Sequence, residues 1–596
     1  MERRVLLAVF LSFLVLYAYQ GLIGPPSQAP SSSQESGESP RLANETTAHR
    51  AVPKLTPELS PRQRESIAGI QPVTPDPVIG EREPREIVVE SDVFRAVFVN
   101  QGAEMVSWQL KTHLEEGKPV ELVPRDLPEE EPLPFSLVFD DETLTDLAHN
   151  GLYQASSSRL RLTNRPEAVI FEYEDASGLH VRKIFAFDPV AQPYLVVLTV
   201  EASLDGRPVV PSVRWGPALG GVESAVGGFQ TPRQGPQGLF YGRVFEEGVL
   251  GKLKVEHILA RDAARQADYE GQLSFVGVDN HYFIAVALPR SQESRVNYRA
   301  VPLPPRGGDE EGRDLMAFDL TLPAGTVDLP FFLGPKDFDV LEAADPILVR
   351  AIDFGWLGWL IVPLHRSLKW VYGFVGNWGW SIIILTVLIN IVIFPLRHKS
   401  VVSMRKMQEV QPEMKAIQER YKHLKASDPE KQKMNKEVMT LYRERGVNPA
   451  SGCLPMLLTM PVLFAFFRLL SAAIELRGAP FVLWIQDLSL PDPLYVTPLV
   501  MGATMVLQQK MSPTQADPMQ QKIMMIMPVV FTFMFLGFPS GLVLYWLTSN
   551  VFGLGQQMVT NRIIGPPKAR TVRPPAERLV KKGGKIHGKK AKAKSQ

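Results

Sequence analysis

The feature that most constrains this chain is a crowd of long apolar runs in its last third. Residues 378–396, 453–474, 494–510, 524–538 and 541–561 each read as a membrane span, because a soluble domain has no use for five such runs. A sixth run follows Met-Glu-Arg-Arg at the N-terminus, and a signal peptide and a first membrane helix both fit it. The nearest cleavage candidate, Ser27-Gln28-Ala29, is followed by Pro30, which should obstruct a peptidase. Residues 1–23 therefore read as a retained anchor. Six spans are an even number, so both termini are expected on one side.

Charge sets the orientation. The net charge of +1 hides a split between the two parts of the chain. Residues 24–350 hold 31 Lys+Arg against 49 Asp+Glu, net −18, whereas residues 397–596 hold 29 against 12, net +17. The loop 397–445 carries 13 Lys+Arg and the tail from Arg562 carries 12, while the opposite loop, 475–493, has only Arg477. Basic loops stay in the cytoplasm, so both termini are expected there and residues 24–350 outside. The single cysteine, Cys453, excludes an internal disulfide, a redox pair and a multi-cysteine metal site.

Residues 24–85 contain eleven prolines and a Ser31-Ser32-Ser33 run, the texture of a disordered linker. From Ile87 short runs rich in β-branched and aromatic residues recur between turn signals, at 93–99, 168–173, 181–187, 194–200, 282–288 and 329–333. They predict an all-β sandwich over residues 86–345. His113, His149, His180, His257 and His281 show no metal-ligand spacing and read as structural or surface groups. Trp108 and Trp215 could line a sugar groove, but core packing is the better reading for lone aromatics in a sandwich. Residues 351–376 predict an amphipathic helix along the outer interface, kinked at Pro363. Its polar side is expected to carry His365, Arg366 and Lys369. The interfacial anchors are Trp356, Trp359, Trp370, Trp378 and Trp380, five of the nine tryptophans within twenty-five residues. Residues 399–446 predict a cytoplasmic helical hairpin, with Met404, Met407, Val410, Met414, Ile417, Tyr421 and Leu424 stepping by three and four. Its many methionines suggest an exposed docking or client-sensing surface.

No GxxxxGK[ST] loop, GxGxxG turn, GxSxG elbow or HExxH helix occurs, so the chain does not read as an enzyme and no cofactor or metal is implied. Polarity at membrane depth is the informative signal. Thr386 and Asn390 lie four apart on one helix face, with Arg397 seven further along it. Thr459, Thr504, Thr532, Tyr545, Thr548 and Asn550 fall in other spans. Polar side chains in lipid face one another or a wet space. Helix-to-helix hydrogen bonding is the better account of any one threonine; for the set, a shared polar groove is at least as good. The apolar runs 494–507 and 524–538 span only ~22 Å at 1.5 Å per residue, short of the ~30 Å hydrocarbon layer, and thin the lipid beside them. Sixteen of the nineteen methionines follow residue 400, and flexible thioethers suit surfaces that accept varied partners.

Several stretches resemble the YidC/Oxa/Alb family of membrane protein insertases and chaperones. They are Asn377-Trp378-Gly379-Trp380-Ser381-Ile382-Ile383, Val447-Asn448-Pro449 before Gly452-Cys453, Ser512-Pro513 with Asp517-Pro518-Met519-Gln520-Gln521-Lys522, and Phe538-Pro539-Ser540-Gly541-Leu542-Val543-Leu544-Tyr545. The external segment is similar in layout, with Leu333-Gly334-Pro335-Lys336, to the periplasmic β-supersandwich of Gram-negative members. The resemblance implies a five-helix insertase core plus the N-terminal anchor in the bacterial inner membrane. It implies a hydrophilic groove that takes nascent membrane proteins, alone or with the Sec translocon, and releases them into inner-membrane lipids. Thr386, Asn390, Arg397, Thr459, Thr532 and Tyr545 are its expected client-binding residues. Asn390 stands where the family commonly has arginine, and Arg397 is expected to compensate. The basic tail 562–596 and the hairpin are candidate ribosome contacts. The alternative, a small-solute transporter or channel, predicts internal repeats, and none is evident.

Overall fold

The computed structural model describes residues 78–564, apart from 116, 126, 129–130, 220–235, 291, 304–312, 322–327, 353, 422–429, 447–453 and 512–517. The anchor 1–23, nearly all of the linker 24–85 and the tail beyond residue 564 lie outside the described residues.

Among the described residues the N-terminal part is a β-domain of two sheets, one of five strands and the other of fifteen. All six segments expected as strands carry one: Glu167–Glu174, Leu179–Asp188, Gln192–Leu204 and Asp328–Pro335 enclose theirs, while Phe94–Val99 and Phe283–Ala287 fall one residue short at one end and at both ends of theirs. Strict alternation decides what each strand buries. Along Leu179–Asp188 every second side chain is inside, from Leu179 through Val181, Lys183 and Phe185 to Phe187. The core is aromatic: Phe98 packs 4.7 Å from Phe185, and Phe135 meets Trp215 edge-on at 5.3 Å. Trp108 and Trp215 are fully buried, Trp108 stacked on Phe94 at 4.2 Å, so both are core residues rather than a sugar groove.

Lys183 lies in that core. Its Nζ donates to the carbonyls of Gly102 (2.6 Å) and Phe135 (2.8 Å). Phe135 holds a left-handed backbone (φ 71°), which costs energy for a non-glycine residue, and the lysine ties it down. Each of the five scattered histidines has a protein partner or ring contact, such as Glu104 for His149 and Ser471 for His281.

Helix α1 (Glu142–Asn150) flanks the sandwich, and α2 (Phe338–Ala344), capped by the Asp337 carboxylate, closes it. The helical part then comprises α3 (Gly358–Val375), α4 (Trp378–Arg420), α5 (Glu430–Arg445), α6 (Leu454–Ala472), α7 (Val496–Met511), α8 (Pro518–Phe535) and α9 (Ser540–Ile564). Among the described residues one stretch, Trp378–Ser403, is long and apolar enough by itself to cross a membrane; Met460–Ala472 and Met524–Phe535 are shorter apolar helices.

The sequence Asn377-Trp378-Gly379-Trp380 is a joint. Asn377 caps α4 by accepting from the Trp380 N–H and donates Nδ2 to Pro480 O at 3.1 Å. Trp378 stacks on Tyr372, and a Cβ at Gly379 would meet the Phe481 ring at 2.1 Å, so only glycine admits that ring. Ser540 docks the start of α9 in the same way, its N–H and Oγ both reaching Leu490 O at 2.7 Å.

Two expectations need correction. The interfacial helix includes Pro363, and His365, expected on its polar side, lies on its buried side with Ile361, Leu364, Leu368 and Val371, because it pairs with Glu475. Trp359, Trp370 and Trp380 are exposed, Trp378 is packed, and the side chain of Trp356 lies outside the described residues. The span 378–396 and the first arm of the hairpin belong to one helix, since α4 runs unbroken through Pro395 and Pro412 to Arg420. The hairpin methionines are not all open for docking: Met439 is exposed, but others are partly covered. Met407, Met414 and Met434 pack with Val410, Ile417 and Leu441 between α4 and α5, where burying thioethers gains more than exposing them. Leu424 and the side chain of Met404 lie outside the described residues.

Candidate functional site

Helix α4 carries a polar ladder through an otherwise apolar stretch. Thr386 is fully buried and donates Oγ1 to Ile382 O at 2.6 Å. Asn390, also buried, donates Nδ2 to Thr386 O at 2.7 Å and accepts from Arg397 Nη1 at 2.7 Å. Each polar atom meets another at helical spacing, which is how side chains are satisfied where water is scarce. Arg397 is half-buried at the end of the ladder, and its guanidinium lies within electrostatic reach of the Tyr545 hydroxyl on α9. Tyr545 is held by a parallel stack on Phe466 of α6, 4.5 Å between centroids. Four of the expected groups, Thr386, Asn390, Arg397 and Tyr545, thus gather on the seam between α4 and α9.

The others are distributed differently. Thr532 Oγ1 donates to Pro528 O at 2.7 Å on its own helix, and it faces Gly502 of α7. A Cβ at Gly502 would lie 2.0 Å from Thr532 Oγ1, so glycine is what lets α7 and α8 approach there. Thr504 and Asn550 pair between α7 and α9 at 3.5 Å, and Thr548 turns back to Leu544 O. The side chain of Thr459 lies outside the described residues. Helix α9 therefore presents polar groups to two neighbours, α4 on one side and α7 on the other.

Sequence reading missed four residues that tie these seams. His398 Nδ1 meets Thr560 Oγ1 at 3.3 Å, and Gln556 Nε2 donates to Phe394 O at 3.3 Å. Gln557 Nε2 donates to Met511 O at 3.0 Å, satisfying a carbonyl that the end of α7 leaves open. Two adjacent glutamines near the end of an apolar run were the available signal. Asp492 sets the entry to α7, accepting from Trp484 Nε1, Leu494 N, Thr497 N and Thr497 Oγ1. Burial pushes its carboxyl up, but the Thr497 and Leu494 hydrogen bonds outweigh that and hold it below the usual range.

Among the described residues no group of three or more His, Cys, Asp or Glu could hold a metal ion. The arrangement offers hydrogen-bonding capacity and the Arg397 cation beside an apolar bundle.

The family model described as 60Kd inner membrane protein matches residues 370–567, and the one described as YidC periplasmic domain matches residues 86–367. A curated relative, the membrane protein insertase YidC of Geobacter metallireducens, is 37% identical over 585 residues, covering 96% of this chain and 100% of that protein. The protein of the same description from Syntrophus aciditrophicus is 35% identical over 577 residues, covering 94% and 100%. A solved structure described as an active YidC insertase with the first transmembrane domain resolved matches 84% of this chain and 96% of its own, at 18% identity and a TM-score of 0.32. With two relatives 35–37% identical over nearly the whole length and two family models matched, the chain belongs to the YidC family of membrane protein insertases, inner-membrane proteins with a strand-rich periplasmic domain and a helical C-terminal part.

Proposed function

We propose that the seam between α4 and α9 is the client-binding groove of this insertase, with Thr386, Asn390, Arg397 and Tyr545 as its lining and Thr459 and Thr532 on the helices that complete it. The observation that carries the reading is the hydrogen-bonded ladder from Thr386 through Asn390 to a half-buried arginine. Carrying a charge to the bilayer centre costs roughly 2.5–3.5 kcal/mol on insertion scales, and a polar site part-way lowers that step. Arg397 supplies the cation that Asn390 lacks, and so attracts acidic client segments. The work needs no covalent chemistry.

The topology follows from the charge split. Six spans, at 1–23, 378–396, 453–474, 494–510, 524–538 and 541–561, leave both termini cytoplasmic and residues 24–350 periplasmic. Trp359, Trp370 and Trp380 anchor the outer interface. The Sec translocon is a partner during handover, and the basic tail 562–596, with the hairpin, contacts the ribosome.

A photoreactive residue at Asn390 tests the groove. It should crosslink a stalled nascent membrane protein far more strongly than the same residue at Val392, which is 77% exposed on the outer face of α4. Equal labelling from both positions would refute the groove.

A further inference from the structure

The β-domain and the helical part meet through side chains from stretches far apart in the chain. Lys369 Nζ on α3 donates to Asp339 Oδ2 at 2.8 Å and Asp337 Oδ1 at 3.2 Å, at the start of α2, and lies 3.0 Å from Glu475 Oε1. Glu475, just past the end of α6, is also hydrogen-bonded to His365 Nε2 at 2.7 Å. Two residues on, Arg477 Nη2 lies 3.6 Å from Glu115 Oε1, at the end of the strand Glu104–Glu115. The same guanidinium lies over the rings of Tyr282 (5.8 Å) and Phe283 (5.3 Å). In the last turn of α6, Ser471 O accepts from His281 Nε2 at 2.7 Å. Ile474 sits between these contacts and is buried in the hydrophobic core of the β-domain itself.

These groups are not surface decoration. The side chains of His365, Glu475 and Arg477 are 5%, 10% and 10% exposed, so water does little to screen them. Nor does chain connectivity demand them. The β-domain already joins α3 through residues 345–357, whereas residues 471–477 come more than a hundred residues later. A segment that inserts one apolar peg and flanks it with an arginine and a glutamate, each meeting complementary groups, has the anatomy of a specific interface.

We propose that residues 471–477 form a latch that seats the β-domain on the outer end of α6, making the domain a rigid outrigger of the helical bundle. The seat also fixes the turn from which the α6–α7 connection departs. The inference goes beyond the insertase reading and does not depend on the groove.

Hydrogen exchange of the full chain in lipid nanodiscs tests it. Arg477→Glu should speed exchange at 281–283 and 471–477 at least about tenfold, the factor that losing ~1.4 kcal/mol gives. The strand Phe94–Val99, deep in the sandwich, should keep its protection. Adding Glu115→Arg restores an opposite-charge pair and should return most of the lost protection. Ile474→Ala, which removes the peg and no charge, should loosen both sides likewise and serves where the charge variants do not accumulate. The latch is refuted if residues 281–283 keep full protection in Arg477→Glu or in Ile474→Ala, or if the double variant recovers nothing.

Discussion

Replacing Glu475 by glutamine isolates the electrostatics of the junction. Burial alone pushes this carboxyl up, but the His365 hydrogen bond and the charges of His365 and Lys369 outweigh it and hold it at about 2 rather than 4.5. At 1.36 kcal/mol per pH unit, that depression is worth about 3 kcal/mol. Lys369 is raised by the same contacts despite its own burial, so its shift describes the same interaction and is not added. A carboxyl depressed in the folded state stabilises fully above 4.5, and the contribution is lost as pH falls through about 2. Glu475→Gln should therefore cost about 3 kcal/mol at pH 7, opening the junction roughly a hundredfold more often, and the gap from the parent should close between pH 4.5 and 2. Hydrogen exchange of residues 281–283 and 471–477 across that range measures both. A loss below about 1 kcal/mol at pH 7, or a gap that does not change on acidification, refutes the assignment.

Three further outcomes are expected. Burial lowers Lys183 to about 7 from 10.5, only partly offset by Glu104, so its charged form destabilises the fold below pH 7 and the penalty is relieved toward pH 10.5. Relative to Lys183→Met, the parent β-domain should gain up to roughly 1.4 kcal/mol per pH unit between those limits in pH-dependent denaturation. Gly502→Ala should cost about 1–3 kcal/mol in thermal unfolding, since the new methyl meets Thr532, and Thr532→Ala should recover part of it. Arg397→Ala should slow insertion of acidic-tailed clients about tenfold in proteoliposomes, the effect of ~1.4 kcal/mol, and leave neutral-tailed ones unchanged; equal effects on both would refute a charge role.

Local periodicity made much of the molecule legible. The spacing of Thr386, Asn390 and Arg397 put them on one face before any contact was known, and they are joined by hydrogen bonds along it. The same arithmetic could have found Lys183, which takes the inward register of its strand between Val181 and Phe185. What stayed hidden was non-local. His365 looked like part of a polar face because its partner, Glu475, is 110 residues away. The hairpin methionines looked exposed because their cover, α5, could not be docked from sequence. Gly502 and Thr532 each read as ordinary span residues, and only their approach gives them meaning.

The unbroken helix α4 has a mechanical consequence. Its 43 residues make a rod of ~64 Å at 1.5 Å per residue, with Asn390 about a third of the way along. If it pivots as one body at Asn377, a swing of about 5° carries the far end some ~5 Å while Asn390 travels only ~1.5 Å, by simple lever geometry on that rise. Small displacements at Asn390 are thereby magnified at the Arg420 end of the helix, and a push on that end arrives at Asn390 geared down.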